Sequence, residues 1–108
     1  MSEIWERSAT EIADEVRAGK LSAQEVLAVH LDRIDRLDSE LNSISYLDVD
    51  AARQQAADID AQVAAGSDPG VLAGVPVGVK ELVSVAGWPD TEASLVYKDR
   101  VAKVTDSE

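Results

Sequence analysis

The fold class is decided by the stretch Leu72-Ala73-Gly74-Val75-Pro76-Val77-Gly78-Val79-Lys80-Glu81. Valines stand at alternate positions from Val75 to Val79, which is the pattern of a short strand. Pro76 cannot donate a ladder hydrogen bond, so such a strand lies at a sheet edge or begins near the proline. The stretch therefore predicts a strand that carries a lysine, Lys80, at its end.

Three amphipathic helices are predicted before this strand. The capping-box spacing, in which a serine and a glutamate three residues later cap one helix end reciprocally, occurs twice, at Ser8-Ala9-Thr10-Glu11 and Ser22-Ala23-Gln24-Glu25. Apolar residues follow each box at three- and four-residue spacing, as on one helix face. The helices are predicted over residues 9–18, residues 23–37, and from Asp48 to a stop at Gly66.

Weaker signals complete the organisation of the chain. We expect a loop over 38–43, a weak strand at 44–47, a short extended piece at 82–85 and a turn at 86–89. The length of 108 residues fits one domain at most. That domain has a helical part, 1–66, and a strand-and-loop part, 67–108, that contains the lysine.

Composition excludes several classes of function. The chain has 21 acidic and 10 basic residues, a net charge of -11 and no cluster of Lys or Arg, which argues against direct binding of nucleic acid. It has no Cys, which excludes disulfides, zinc–thiolate sites and a cysteine nucleophile, and favours the reducing cytoplasm. The acidic start is unlike a secretory leader, and the longest uncharged run, 69–79, is too short to span a membrane.

Few residues are candidates for chemistry. The only His, His30, lies among apolar residues of the second predicted helix, where a structural role is the simplest interpretation. No His or Cys accompanies the carboxylates in a metal-ligand spacing, and no glycine-rich phosphate motif is present, so neither a metal nor a cofactor is expected. Ser84 and Ser94 lack a glycine-rich oxyanion loop beside them and are interpreted as ordinary turn or strand serines.

Lys80 is the distinctive candidate because it ends an uncharged, glycine-bearing run. Burial disfavours the charged ammonium, so a lysine in such surroundings can act as a base near neutral pH. In a strand, Glu81 would point to the opposite face. The pattern alone leaves a second interpretation open, in which Lys80 is a solvent-exposed residue at a strand end. The later run Lys98-Asp99-Arg100 is expected to be solvated.

The stretch from Leu72 to Glu81, followed by Val85-Ala86-Gly87-Trp88-Pro89 and then Thr91 and Ser94, resembles the N-terminal motif of the amidase signature family. Earlier segments resemble those that precede this motif in the family. They are Arg17-Ala18-Gly19-Lys20-Leu21-Ser22, His30-Leu31-Asp32-Arg33-Ile34, and the helix that runs from Ala51-Ala52-Arg53 to Ala57-Asp58. The resemblance thus covers essentially the whole chain.

The resemblance implies an α/β fold, a large mixed sheet covered by helices, of which this chain would hold the N-terminal helical layer and the first strand or strands. It implies hydrolysis of a carboxylic amide by a Ser-cisSer-Lys triad, with Lys80 as the general base and no metal or cofactor. Both serines and the oxyanion donors lie downstream of the lysine in the family. We therefore interpret the chain as an incomplete N-terminal portion that is inactive alone.

Some residues depart from the family pattern. Glu81 stands where Asp is commoner, and Asp90 and Ala93 replace a Thr and a Gly. The last change bears on loop conformation, because alanine tolerates a positive φ poorly.

Two alternatives stay open beside a generic amidase. One is the A subunit of a tRNA-dependent amidotransferase, which uses the same triad to free ammonia from glutamine and works with partner subunits. The other is a non-catalytic, acidic helical interaction module. The expected partners are a small amide substrate for the full-length protein and, on the protein side, a second copy or the C-terminal remainder of the same protein.

Overall fold

The computed structural model describes residues 3–106 and is helical in its first part. The helices are α1 (Ala9–Arg17), α2 (Ala23–Leu41) and α3 (Val49–Ala64), with single 3-10 turns at Ile4–Glu6 and Leu95–Tyr97. The chain divides into two compact units, Met1–Pro76 and Val77–Glu108. Among the described residues, no helix is long and apolar enough to cross a membrane.

Local capping sets where the helices begin, and both predicted capping boxes are confirmed. At α1, the Glu11 amide donates to Ser8 Oγ at 3.1 Å and the Ser8 amide donates to the Glu11 carboxylate at 2.7 Å. The same reciprocal pair joins Ser22 and Glu25 at the start of α2. Because each box satisfies amides that would otherwise lack partners, the helix starts follow from a few consecutive residues.

The end of α2 differs from the prediction: the helix runs to Leu41 rather than to residue 37. Asn42 takes the left-handed conformation, with φ +50°, and its amide donates to the Asp38 carbonyl at 2.7 Å. Asparagine tolerates this conformation better than most residues and replaces the usual C-terminal glycine. The Asp38 carboxylate accepts from the Ser43 hydroxyl and the Ser43 amide, and these bonds hold the pKa of Asp38 below its ordinary value.

A single carboxylate fixes α3 against α2. Asp60, near the end of α3, accepts from the Ala23 amide at 2.6 Å and from the Gln24 amide at 3.2 Å. The Gln24 side-chain amide adds a third hydrogen bond, at 2.9 Å. Since the end of α3 meets the start of α2, the two helices form an antiparallel hairpin.

The core of the helical unit is small and built from short side chains. Val16 and Val26 are fully buried, and the other buried members of the cluster are Ile12, Ala23, Ala56 and Ala73. Gly74 approaches this core so closely that a Cβ there would lie 2.9 Å from Val16 Cγ2 and 3.2 Å from Ala23 Cβ. The turn that precedes Val75 is therefore packed onto the junction of α1 and α2.

The predicted strand at Val75–Val79 is wrong for the described residues. The segment has no strand assignment, and Val77 is 68% exposed. A strand is held by ladder hydrogen bonds from a neighbour, and no part of residues 3–106 supplies them here. The only β-type pairing described in that range is an isolated antiparallel bridge between Pro89 and Val101. The helical layer of the predicted α/β arrangement is thus confirmed, and its sheet is not.

Replacement of Asp60 by alanine is expected to lower the free energy of unfolding by about 1–2 kcal/mol, as expected for loss of a carboxylate that caps helix amides. Urea titration followed by circular dichroism at 222 nm measures the change. Asp58→Ala is the matched control, because Asp58 is exposed and accepts a hydrogen bond from Gln54 on the same helix. Alanine changes the helix propensity equally in the two variants. Equal urea midpoints of unfolding would therefore contradict the role given to Asp60.

Alanine at Gly74 is expected to cost about 2 kcal/mol or more, since its Cβ meets the core and φ is +70°. Gly78→Ala is the control, because Gly78 has an ordinary φ and no atom within 4 Å of an added Cβ. The same urea titration should separate the two variants. A Gly74→Ala chain as stable as Gly78→Ala would show that the turn is not packed as described.

Candidate catalytic lysine and its surroundings

Lys80 lies in the second unit, at the start of a tight turn. Its carbonyl accepts the Val83 amide at 2.9 Å, and its side chain is exposed. Within residues 3–106, no group forms a hydrogen bond or ion pair with the ammonium. The uncharged run before Lys80 predicts a buried side chain. The side chain is exposed because the strand that would place the lysine in a sheet does not form in that range. The catalytic role of Lys80 stays a prediction.

Glu81, the residue after the lysine, is hydrogen-bonded to the later part of the sequence motif. The hydroxyl of Thr91 donates to Oε1 of Glu81, and both residues are half-buried. The motif around Lys80 and the later residues Thr91 and Ser94 are therefore neighbours in space as well as in the sequence pattern. The Ser94 amide donates to the Thr91 carbonyl at 2.9 Å, which extends this connection.

Ser84 and Ser94 have structural partners, as expected for turn serines. Ser84 Oγ donates to Asp90 Oδ1 at 3.2 Å, and the Ser84 amide donates to Asp106 Oδ2 at 2.8 Å. Ser94 Oγ accepts the Val96 amide at 3.2 Å and caps the 3-10 turn. These contacts are a hydroxyl–carboxylate hydrogen bond for Ser84 and a helix cap for Ser94, and Lys80 takes part in neither of them.

Arg100 holds the loop after the lysine, and the sequence interpretation of residues 98–100 as a solvated run misses it. Its Nε donates to the Asp90 carbonyl at 2.6 Å, a guanidinium nitrogen lies 3.2 Å from Glu92 Oε1, and the group stacks 4.2 Å from the Tyr97 ring centre. Lys98 beside it is exposed, as expected. No local sequence signal identifies Arg100, because its position opposite Asp90 depends on the Pro89–Val101 pairing.

The same loop holds two residues in a conformation that usually needs glycine. Glu92 has φ +50° and Ala93 has φ +56°. Ala93 stands where the family pattern has glycine, and it adopts a positive φ although alanine tolerates one poorly. Arg100 contacts one member of this pair, Glu92.

The chemistry of the lysine segment is limited to the exposed primary amine of Lys80. No group of three or more His, Cys, Asp or Glu residues between positions 3 and 106 is arranged to hold a metal ion. His30, the other candidate, is half-buried on α2 with Nδ1 2.7 Å from the Val26 carbonyl oxygen, as expected for a structural histidine. A base without an activated hydroxyl beside it cannot complete acyl transfer.

The matches to known proteins extend over the lysine segment of this chain. Residues 25–108 match the family model described as Amidase. The chain is 39% identical over 99 residues to the A subunit of glutamyl-tRNA(Gln) amidotransferase from Salinispora tropica, a match that covers 92% of this chain and 20% of that protein. The protein of the same name from Acidothermus cellulolyticus is 40% identical over 98 residues, covering 91% and 19%. That from Gloeobacter violaceus is 38% identical over 89 residues, covering 82% and 18%.

Each match covers most of this chain but only a small part of the relative. The chain spans about a fifth of the length of the curated relatives it matches, while most of its own residues are aligned. The family model covers α3, the lysine segment and all but the first two residues of α2. By these matches the chain belongs to the amidase signature family.

Proposed function

We propose that the chain is the N-terminal part of the catalytic subunit of a tRNA-dependent amidotransferase, and that Lys80 is the general base that helps to free ammonia from glutamine. The observation that carries the proposal is the similarity to the A subunit of glutamyl-tRNA(Gln) amidotransferase over nine-tenths of the chain, including the lysine segment. A free-standing amidase acting on small amides is the second candidate function, and the family match supports it.

The proposed chemistry is activation of a serine for attack on an amide carbonyl. A serine hydroxyl is a weak nucleophile until a base removes its proton, and the family triad passes that proton through a bridging serine to the lysine. The tetrahedral intermediate then needs backbone N–H donors for its oxyanion. We propose that the rest of the full-length protein supplies both serines and these donors, and that the chain alone releases no ammonia above background.

The surroundings of Lys80 support this division of roles. An ammonium group in water keeps its proton at neutral pH, so a lysine becomes a base only when it is desolvated. Val77 and Val79, just before the lysine, are 68% and 42% exposed. Apolar side chains beside the lysine would provide the desolvating wall once a sheet neighbour covers them. We propose that such a neighbour forms the missing ladder and buries the lysine with the valines.

Lys80→Ala is expected to lower kcat/KM by about 10²–10⁴, the range for removal of a positioned proton-transfer group. The test joins residues 1–108 to the C-terminal remainder of the Salinispora tropica protein and adds the other subunits of that enzyme. Ammonia release from glutamine and amide transfer to Glu-tRNA(Gln) are both measured. Lys98→Ala is the control, because Lys98 is an exposed lysine of the same unit.

The outcomes separate the candidate functions. Release of ammonia from simple amides without partner subunits or Glu-tRNA(Gln) would identify the free-standing amidase. A folded Lys80→Ala chimera with near-wild-type turnover would rule out the lysine as base, and equal losses in the Lys98→Ala chimera would indicate instability instead. A folded chimera with no turnover at all would favour the non-catalytic helical module.

A further inference from the structure

An open groove of about 550 Å³ lies within the helical unit, between α2 and the start of α3. Its floor is apolar and is formed by Leu27, Leu31, Ile34, Leu47 and Val49. The first three recur at three- and four-residue spacing on α2, as one continuous helix face. The groove contains none of the residues assigned to catalysis.

The floor is only partly covered: Leu27, Leu31, Ile34 and Val49 are half-buried, and Leu47 is 44% exposed. The buried residues of α2 are confined to its first turns, at Ala23 and Val26, and none of its later residues is buried. The one buried residue of α3 is an alanine, Ala56. The stripe continues to exposed Leu37 and Leu41, at 41% and 67%.

The rim carries opposite charges on its two sides. On the α2 side, Asp32 is paired with Arg36 at 2.6 Å, whereas Asp35 forms no ion pair or hydrogen bond among residues 3–106. On the α3 side, Arg53 is likewise without such a partner in that range. The α2 edge therefore attracts a cation next to the apolar floor, and the α3 edge repels one.

We propose that this groove binds an amphipathic helix of a separate protein, with an apolar stripe against the floor and Lys or Arg along the α2 edge near Asp35. An apolar groove recognises such a helix through side chains at three- and four-residue spacing. Charge selects the occupant: with a net charge of -11, two copies of this chain repel each other, whereas a cationic helix is attracted. The inference stands on the helical unit and does not depend on the role of Lys80.

The probe is a synthetic helical peptide with Leu at the stripe positions and Lys elsewhere, titrated against the 108-residue chain by calorimetry. Leu47→Asn, which alters an exposed floor residue outside the helices, should weaken binding about tenfold or more. Asp35→Ala should weaken it about two- to fivefold and Arg53→Ala should strengthen it by a similar factor, as for exposed charge pairs. Asp14→Ala, a charge-matched change on α1, should leave affinity unchanged.

Several results would overturn the proposal. A peptide of the same composition but shuffled order must bind at least about tenfold more weakly, since equal binding would mean attraction by charge alone. Equal effects of Asp35→Ala and Asp14→Ala would place the cation elsewhere. Dimers of the chain that Leu47→Asn dissociates, seen by sedimentation equilibrium, would assign the groove to a second copy. Circular dichroism of each variant shows whether the helices are retained, and absence of peptide binding by the wild-type chain refutes the proposal directly.

Discussion

The hydrogen bonds from the first turn of α2 to the Asp60 carboxylate are the contact on which the helical unit depends. The first four amides of a helix have no partner within it, and the capping box at Ser22 satisfies only part of that requirement. The Asp60 carboxylate accepts hydrogen bonds from the Ala23 and Gln24 amides and places a negative charge at the positive end of the helix dipole. The same bonds fix the register of α3 on α2, and with it the shape of the groove.

That register also positions the turn that leads to the lysine segment. Ala23, whose amide is bound by Asp60, is buried and contributes its methyl group to the site that Gly74 approaches. An added methyl group at either side of this contact would separate the turn from the junction of α1 and α2. The glycine in the sequence motif is therefore explained by the core of the helical unit, through positive φ and close approach, without reference to catalysis.

How much of the molecule can be predicted depends on how far apart the interacting residues lie. The two capping boxes and the stop at Gly66 rest on residues within one helical turn, and the sequence predicts them correctly. It misses the end of α2, because Asn42 carries the left-handed conformation in place of glycine. It also misses Asp60, because the partners of that carboxylate are distant in sequence and it looks like any solvated acid on a helix.

For the candidate site, Lys80 follows from a local uncharged run and from family resemblance, but its burial requires a neighbouring strand that the run itself cannot encode. The contacts of Arg100 with Asp90 and Glu92 likewise depend on a chain reversal around the Pro89–Val101 bridge.

The residues that α3 packs against α2 link the stability of the helical unit to its open groove. The one buried residue of α3 is Ala56, and Ile59 and Val63, on either side of Asp60, pack partly buried against the core. Further along α2, Leu37 and Leu41 are exposed. A larger residue in place of Ala56 would bury more apolar area, at about 25 cal/mol per Å², yet would overpack a site that is already buried. The helical unit therefore keeps a small core, and part of the apolar face of α2 stays open as the groove.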